Sequence, residues 1–355
     1  MSMYNIRRTI VFACSFLIFY ACNQAETGSK EDYVIASGQM PNIAKDKAGN
    51  IHLVYGTGDS IMYSTLPDGG RSFATPSLIA VQPGLAASHT RGPQIAATTN
   101  GLLVTACTNA GDIFSYIKED SGDWLQTARV NDRDTVAKEN LMALAADGKH
   151  VFAVWLDLRS KHNQVFGSRS LDGGKTWSKN IQVYASPDST VCECCKPSVQ
   201  VKGNNVYVMF RNWLQGSRDM YLIQSADGGT TFSAAQKLGK GSWKLNACPM
   251  DGGALSVTSD GAVQTVWRRE ATIYTSKAGH SEERLGEGKG CTLEIVNKQK
   301  VYAWVENGDI VIVKPEGQKK IVGKGSGPML KALGQEHVLC VWENNKQIHG
   351  TIIKL

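Results

Sequence analysis

Cysteines and arginines raise the first chemical questions in this sequence. Cys192, Cys194 and Cys195 stand within four positions in the stretch STVCECCKPSVQV (189–201), and Cys248 and Cys291 follow downstream. Thiols this close cannot all pair with one another, because a disulfide needs Cα atoms roughly 4.4–6.8 Å apart with converging Cβ vectors. Three chemistries stay open: disulfides that staple the fold, a soft-metal site for Cu or Zn, and a reactive thiol. The C-x-C-C spacing lets neighbouring ligands grip one ion, although it is not a zinc-ribbon spacing. Met250 adds a candidate thioether, and Glu139 and Asp251 stand nearby in the expected fold. Six arginines, Arg91, Arg159, Arg211, Arg218, Arg268 and Arg269, are candidates for binding an anion, since guanidinium groups pair bidentately with carboxylates and sulfates. The plainer reading is that each pairs with a local Asp or Glu. For catalysis the candidates are Asp157 and Glu193, with Asp219 and Glu270 as further proton donors and Cys291 as a thiolate nucleophile.

Compartment constrains these choices. Arg7 and Arg8 precede an apolar run, Ile10 to Tyr20, of about 11 residues, too short to span a bilayer and suited to an export signal. The run ends at Ala21–Cys22, which resembles a bacterial lipoprotein cleavage box, with Cys22 the lipidated residue; an ordinary signal peptide cut nearby is the alternative. Residues 1–22 are thus expected as signal, 23–31 as a flexible tether, and 32–355 as one domain. A bacterial cell-envelope location follows, with membrane attachment through the lipid anchor alone. The net charge of +6 is spread out with no basic block, which argues against a nucleic-acid partner. Of nine cysteines, setting aside Cys14 and Cys22 leaves seven, an odd number that cannot all be paired within the chain.

The elements that must position these residues repeat along the chain. YSTLPDGGRSF (63–73), SRSLDGGKTW (168–177) and IQSADGGTTF (223–232) each carry Asp-Gly-Gly and then an aromatic four positions after the first Gly; KEDSGDW (118–124) is a worn copy. The Asp accepts hydrogen bonds from turn amides while the glycines take positive φ. Upstream of each turn lies an apolar strand ending in an aromatic, such as VFAVWLD (151–157) or HVLCVWEN (337–344), preceded by a shorter strand often led by Pro. Seven such units and the scarcity of helical periodicity predict an all-β fold, a β-propeller of four-stranded blades. Seven blades are favoured and six are the alternative. The last unit supplies three strands, so Asp32–Ser37 is expected to close the ring. In a propeller the loops before the inner strands open on one face, so thiols from three adjacent blades are expected to meet at one mouth. Cys107 and Cys340 lie inside strands and read as buried small hydrophobes.

The Asp-Gly-Gly turns match the Asp-box, or BNR repeat, and the chain resembles the sialidase superfamily over most of its length. That resemblance implies a six-bladed relative and three arginines that bind a substrate carboxylate. Arg91 in RGP is similar to the family's opening Arg-Ile-Pro, Arg211 to its second arginine, and Arg268 or Arg269 to its third; Asp157 is the nearest match to its acid. The family attacks with a tyrosine activated by a glutamate. Here the glutamate's place falls on Cys195, Lys196 or Pro197, with Glu193 a loop shift away, and the tyrosine's place on Gly290 or Cys291. The resemblance implies a monomeric sialidase-like propeller that recognises, and hydrolyses if active, anionic glycans of the sialic-acid type. A Cys-cluster metal or redox site and a non-catalytic protein-docking scaffold are the alternatives.

Overall fold

The computed structural model describes Met1 and residues 32–119 and 122–355. The expected export signal, tether and lipidated Cys22, and two residues of the worn turn copy, lie outside the described residues.

Among the described residues, 28 strands form seven four-stranded antiparallel sheets. Each of the first six sheets is one consecutive run of four strands, so sequence order is spatial order within a blade. The inner strands are Gln39–Lys45, Gln94–Thr98, Met142–Asp147, Ser198–Lys202, Ala254–Val257, Lys289–Val296 and Ser326–Leu333. Each touches the inner strand of the next blade, and the last touches the first, so the ring is complete. Seven blades are present, and six is excluded. Tyr33–Ser37 pairs antiparallel with Gln347–Lys354, from Tyr33 opposite Gly350 to Ser37 opposite Gln347, and serves as the outer strand of blade 7. Without it Gln347–Lys354 would present a bare edge.

The aromatic at the end of each second strand fills the space between blades. Trp155, Trp304 and Trp342 are completely buried, and Tyr55, Phe210 and Trp267 nearly so. Blade 2 has Cys107 near that place, and it is buried beside Trp155 and Phe166. The Asp-Gly-Gly turns join adjacent blades from the outside. Asp172 Oδ1 accepts from Ser170 Oγ at 2.7 Å and Thr176 N at 3.0 Å, while Gly174 N donates to Ser170 Oγ at 2.8 Å. Asp227, Ser225, Thr231 and Gly229 repeat this pattern one blade on. The following aromatic then crosses to the preceding blade: Phe232 stacks edge-on against Phe152 at 5.7 Å, and Trp177 Nε1 donates to Ser115 Oγ at 3.1 Å. The first copy has Leu66 where the others have Ser, and its turn closes by Gly70 N donating to Pro67 O at 2.9 Å.

Two neighbouring glycines separate backbone need from packing need. Both take positive φ, 74° at Gly228 and 82° at Gly229. A Cβ at Gly228 would meet nothing nearer than 3.6 Å, whereas one at Gly229 would lie 2.4 Å from Phe152 Cε2. Gly228→Ala is therefore expected to cost about 1 kcal/mol from the left-handed backbone, and Gly229→Ala about 1–3 kcal/mol more from overpacking. Urea unfolding measures both, and equal losses would refute this account of the turn.

Candidate functional site: a thiol cluster at the mouth of the axial channel

Inner strands begin, and second strands end, at the same end of the ring, so the loops of seven blades share one mouth. In blade 4 the loop before the inner strand, residues 186–197, is tied down along its length. Ser186 Oγ donates to Trp213 O at 2.8 Å, Val191 N to Asn163 O at 2.8 Å and Cys192 N to Arg211 O at 3.0 Å. This anchoring turns three side chains inward. The sulfur atoms of Cys192, Cys194 and Cys195 lie 3.7 Å (192–194), 3.4 Å (192–195) and 4.0 Å (194–195) apart, and all three residues are buried. Arg218 Nη1 donates to Cys192 Sγ at 3.0 Å and the Asp251 amide donates to Cys195 Sγ at 3.4 Å.

The thiols differ sharply in acidity. Hydrogen bonds from Cys194 and Cys195, helped by the Arg218 and Arg211 charges, hold Cys192 far below an ordinary thiol; burial holds Cys195 far above one. Cys248, on blade 5, is exposed, and burial of its sulfur together with a hydrogen bond to Cys194 raises its pKa to about 11. Among the described residues no disulfide is present; all seven cysteines are free thiols.

Cys291 does not join this group. It lies on the inner strand of blade 6, buried against the core between blades 5 and 6 and lining the axial channel. Burial, then the nearby Asp251 charge, holds its thiol well above the ordinary value. A neutral thiol is a poor nucleophile, so this burial weighs against the catalytic role expected for it. Cys107 and Cys340 are buried as expected, and burial raises Cys107 to about 12.

The arginines reach the same end of the molecule but are engaged within it. Arg211 is 1% exposed and donates to the carbonyls of Asp251 (3.1 Å), Arg218 (2.8 Å) and Arg268 (2.9 Å). Arg268 forms an ion pair with Asp251 at 2.8 Å and donates to Pro249 O at 3.0 Å. Arg269 holds Glu282 with two bonds of 2.8 and 2.7 Å, and Arg159 holds Asp157 and Asp132. Arg218 lies over the Trp213 ring at 4.3 Å and pairs with Glu193 at 3.3 Å. Arg91 donates to the Glu139 carbonyl at 2.7 Å, bridging blades 2 and 3. Arg159, Arg218, Arg268 and Arg269 thus pair with carboxylates, as the plainer reading expects, whereas Arg91 and Arg211 donate to backbone carbonyls.

The carboxylates follow suit. Asp157 is fully buried and accepts from Trp155 Nε1, Arg159 N, Arg159 Nε and Arg159 Nη2 at 2.8–3.0 Å. A carboxylate so saturated has no route to a ligand; it fixes the turn after the second strand. Asp219 accepts from Trp243 N and pairs with Lys237, and Glu270 is exposed at a turn with φ 57°. Glu193 is partly exposed beside the thiols and pairs with Arg218, which itself donates to Cys192 Sγ.

An axial cavity of about 450 Å³ runs inside the ring. No tyrosine lines it among the described residues, and its carboxylates are Asp251 and Glu294. At the mouth, Lys196 Nζ donates to Gln94 Oε1 across the channel at 2.8 Å, and burial pulls the pKa of Lys196 down to about 8. No described carboxylate pairs with this ammonium group. Asp251 Oδ2 faces Arg268 and accepts from Gly290 N at 3.2 Å, whereas Asp251 Oδ1 is buried with no hydrogen-bond partner. Burial raises the Asp251 pKa against the pull of Arg268 and Arg211. Sequence reasoning passed over Lys196 and Gln94 as ligand groups. The available signal was their place at the start of an inner strand, in KPSVQV and GPQIA, where side chains turn toward the axis.

No protein-family model matches this sequence, and no curated protein matches it. Solved structures do resemble it. One is an alpha-L-arabinanase of Penicillium chrysogenum complexed with arabinobiose, with TM-score 0.56 and 13% identity, covering 91% of this chain and 97% of that one. A lectin of Burkholderia pseudomallei has TM-score 0.61 and 10% identity over 91% of this chain and 97% of its own. An ulvan lyase bound to a GlcA-containing saccharide has TM-score 0.56 and 10% identity over 90% and 95%. At these identities the likeness is one of fold.

The Arg269–Glu282 pair yields a pH prediction. Hydrogen bonds from Arg269 hold the Glu282 pKa below its ordinary 4.5. The pair's stabilisation is therefore complete above that value and is lost as pH falls through the folded pKa. Arg269→Met is expected to cost about 1.5–3 kcal/mol at pH 7, and the gap from the parent protein is expected to narrow at pH 3. Thermal unfolding at the two pH values checks this; a gap that widens in acid contradicts the assignment.

Proposed function

We propose that this chain is an envelope-anchored, sialidase-like propeller that recognises anionic glycans of the sialic-acid type at the mouth of its axial channel. The observation that carries this reading is the ammonium group of Lys196. It stands in a cavity of about 450 Å³ with Gln94 as its hydrogen-bond partner. A partly buried cation without a counter-charge favours an anion that brings its own charge and acceptor oxygens. The rim also supplies apolar surface for a sugar ring face, from Met40 and Met250. The arabinanase, lectin and ulvan lyase that resemble the chain in fold are carbohydrate proteins, which is consistent with this assignment. Attachment through Cys22 is part of the proposal and rests on the sequence.

Recognition without hydrolysis is the better-supported form. A retaining sialidase mechanism of the tyrosine type needs a tyrosine and an activating glutamate facing the substrate. The cavity presents Cys291 and Lys196 at those places in the sequence. Release of a fluorogenic sialoside is therefore expected at background rate.

Calorimetric titration with sialyllactose and lactose tests the binding mode. Sialyllactose is expected to bind at least about tenfold more tightly, and Lys196→Met to remove that preference at a cost of about 1.5–3 kcal/mol. Equal affinity for the two sugars, or an unchanged preference in Lys196→Met, would overturn the proposal.

A further inference from the structure

The three sulfurs of the blade 4 loop are arranged as metal ligands are, and this stands independently of the carbohydrate reading. Thiolates at about 2.3 Å from a tetrahedral ion lie about 3.8 Å from one another. The observed separations, 3.4, 3.7 and 4.0 Å, bracket that edge without any bond between the sulfurs. These are buried side chains with atoms converging on one point, the only such group of ligand atoms found among the described residues. Their surroundings suit sulfur that bears charge. Arg218 donates to Cys192 Sγ at 3.0 Å and the Asp251 amide to Cys195 Sγ at 3.4 Å, the kind of outer contact that orients thiolate ligands and offsets their charge. Arg218 is itself held by Glu193 and Trp213, so the donor is rigid. The loop that carries the ligands is anchored at Ser186, Val191 and Cys192, so little chain entropy remains to be lost when an ion enters.

We infer that Cys192, Cys194 and Cys195 form a preorganised seat for one soft cation, Cu(I) or Zn(II), and that Cys248 is its exchangeable fourth ligand. Cys248, on the adjacent blade, is the exposed cysteine at this mouth; its sulfur stands outside the three-sulfur group and would move in to complete the shell. An ion would enter past Cys248, lose its water and settle on the three buried thiolates, each thiol giving its proton to solvent on coordination. Three soft thiolates select a thiophilic ion over Mg or Ca. Cys291, absent from the sulfur group, takes no part.

The test uses the full mature chain, reduced and desalted without oxygen, then titrated in separate arms with Cu(I) and Zn(II) against a competing chelator. One equivalent is expected to bind in at least one arm, and the arm that binds more tightly names the ion. Cys192→Ser and Cys195→Ser are each expected to weaken binding at least 100-fold. Cys248→Ser is expected to keep the stoichiometry and speed metal release at least tenfold. X-ray absorption of the loaded parent chain needs no variant and is expected to show three or four sulfurs near 2.3 Å. Absence of stoichiometric binding in both arms, a first shell of nitrogen and oxygen, or undiminished affinity in a correctly folded Cys192→Ser would overturn the inference.

Discussion

Closure of the ring is the constraint on which everything else depends. Tyr33–Ser37 must cross to the last sheet and pair with Gln347–Lys354, joining residues more than 300 positions apart. Once that happens, the seven inner strands stand side by side and all begin at one end of the channel. Loop residues from every blade are then brought to one mouth whatever their own preferences. The Asp-Gly-Gly turns and the buried indoles reinforce this from the outside and between blades. Phe232 against Phe152 and Trp177 against Ser115 each carry a side chain of one blade onto its neighbour.

Crowding charged groups into that mouth has an electrostatic consequence. A guanidinium group withdrawn from water must recover its hydrogen bonds inside the protein. Arg211 does so on three carbonyls, Arg159 on Asp157 and Asp132, and Arg269 on Glu282. Charges that look available for a ligand in the sequence therefore become part of the wall. Two groups near the channel are less fully paired: the Lys196 ammonium, bonded to Gln94, and one buried oxygen of Asp251. Lys196 lines the channel, whereas the Asp251 oxygen is shut off from solvent.

The thiols obey a related rule. Sulfur tolerates burial better than oxygen or nitrogen, so three cysteines can be packed into a dry loop where three carboxylates could not. Asp251 links the two features of the mouth. Its amide donates to Cys195 Sγ while its carboxylate pairs with Arg268 and accepts from Gly290. Blades 4, 5 and 6 are thereby joined at the point where the thiol loop borders the channel, and a change on one side would be felt on the other.

Much of the fold was legible along the chain. Alternating apolar strands, the box turns and the missing outer strand of the last unit are local patterns, each set by a few adjacent residues, and they led to the blade count and to the closing strand. The convergence of Cys192, Cys194 and Cys195 was also readable, since they are neighbours in sequence. What sequence could not supply was the pairing across blades. Gln94 meets Lys196 from 102 positions away, Arg211 meets Asp251 from 40, and Cys291 turns into the inter-blade core rather than toward the other thiols. Strand periodicity says that a residue points to one face of its sheet, but not what the next blade places opposite it. That depends on the stagger and tilt of packed sheets, and it is there that arginines became walls and a lysine became the free charge.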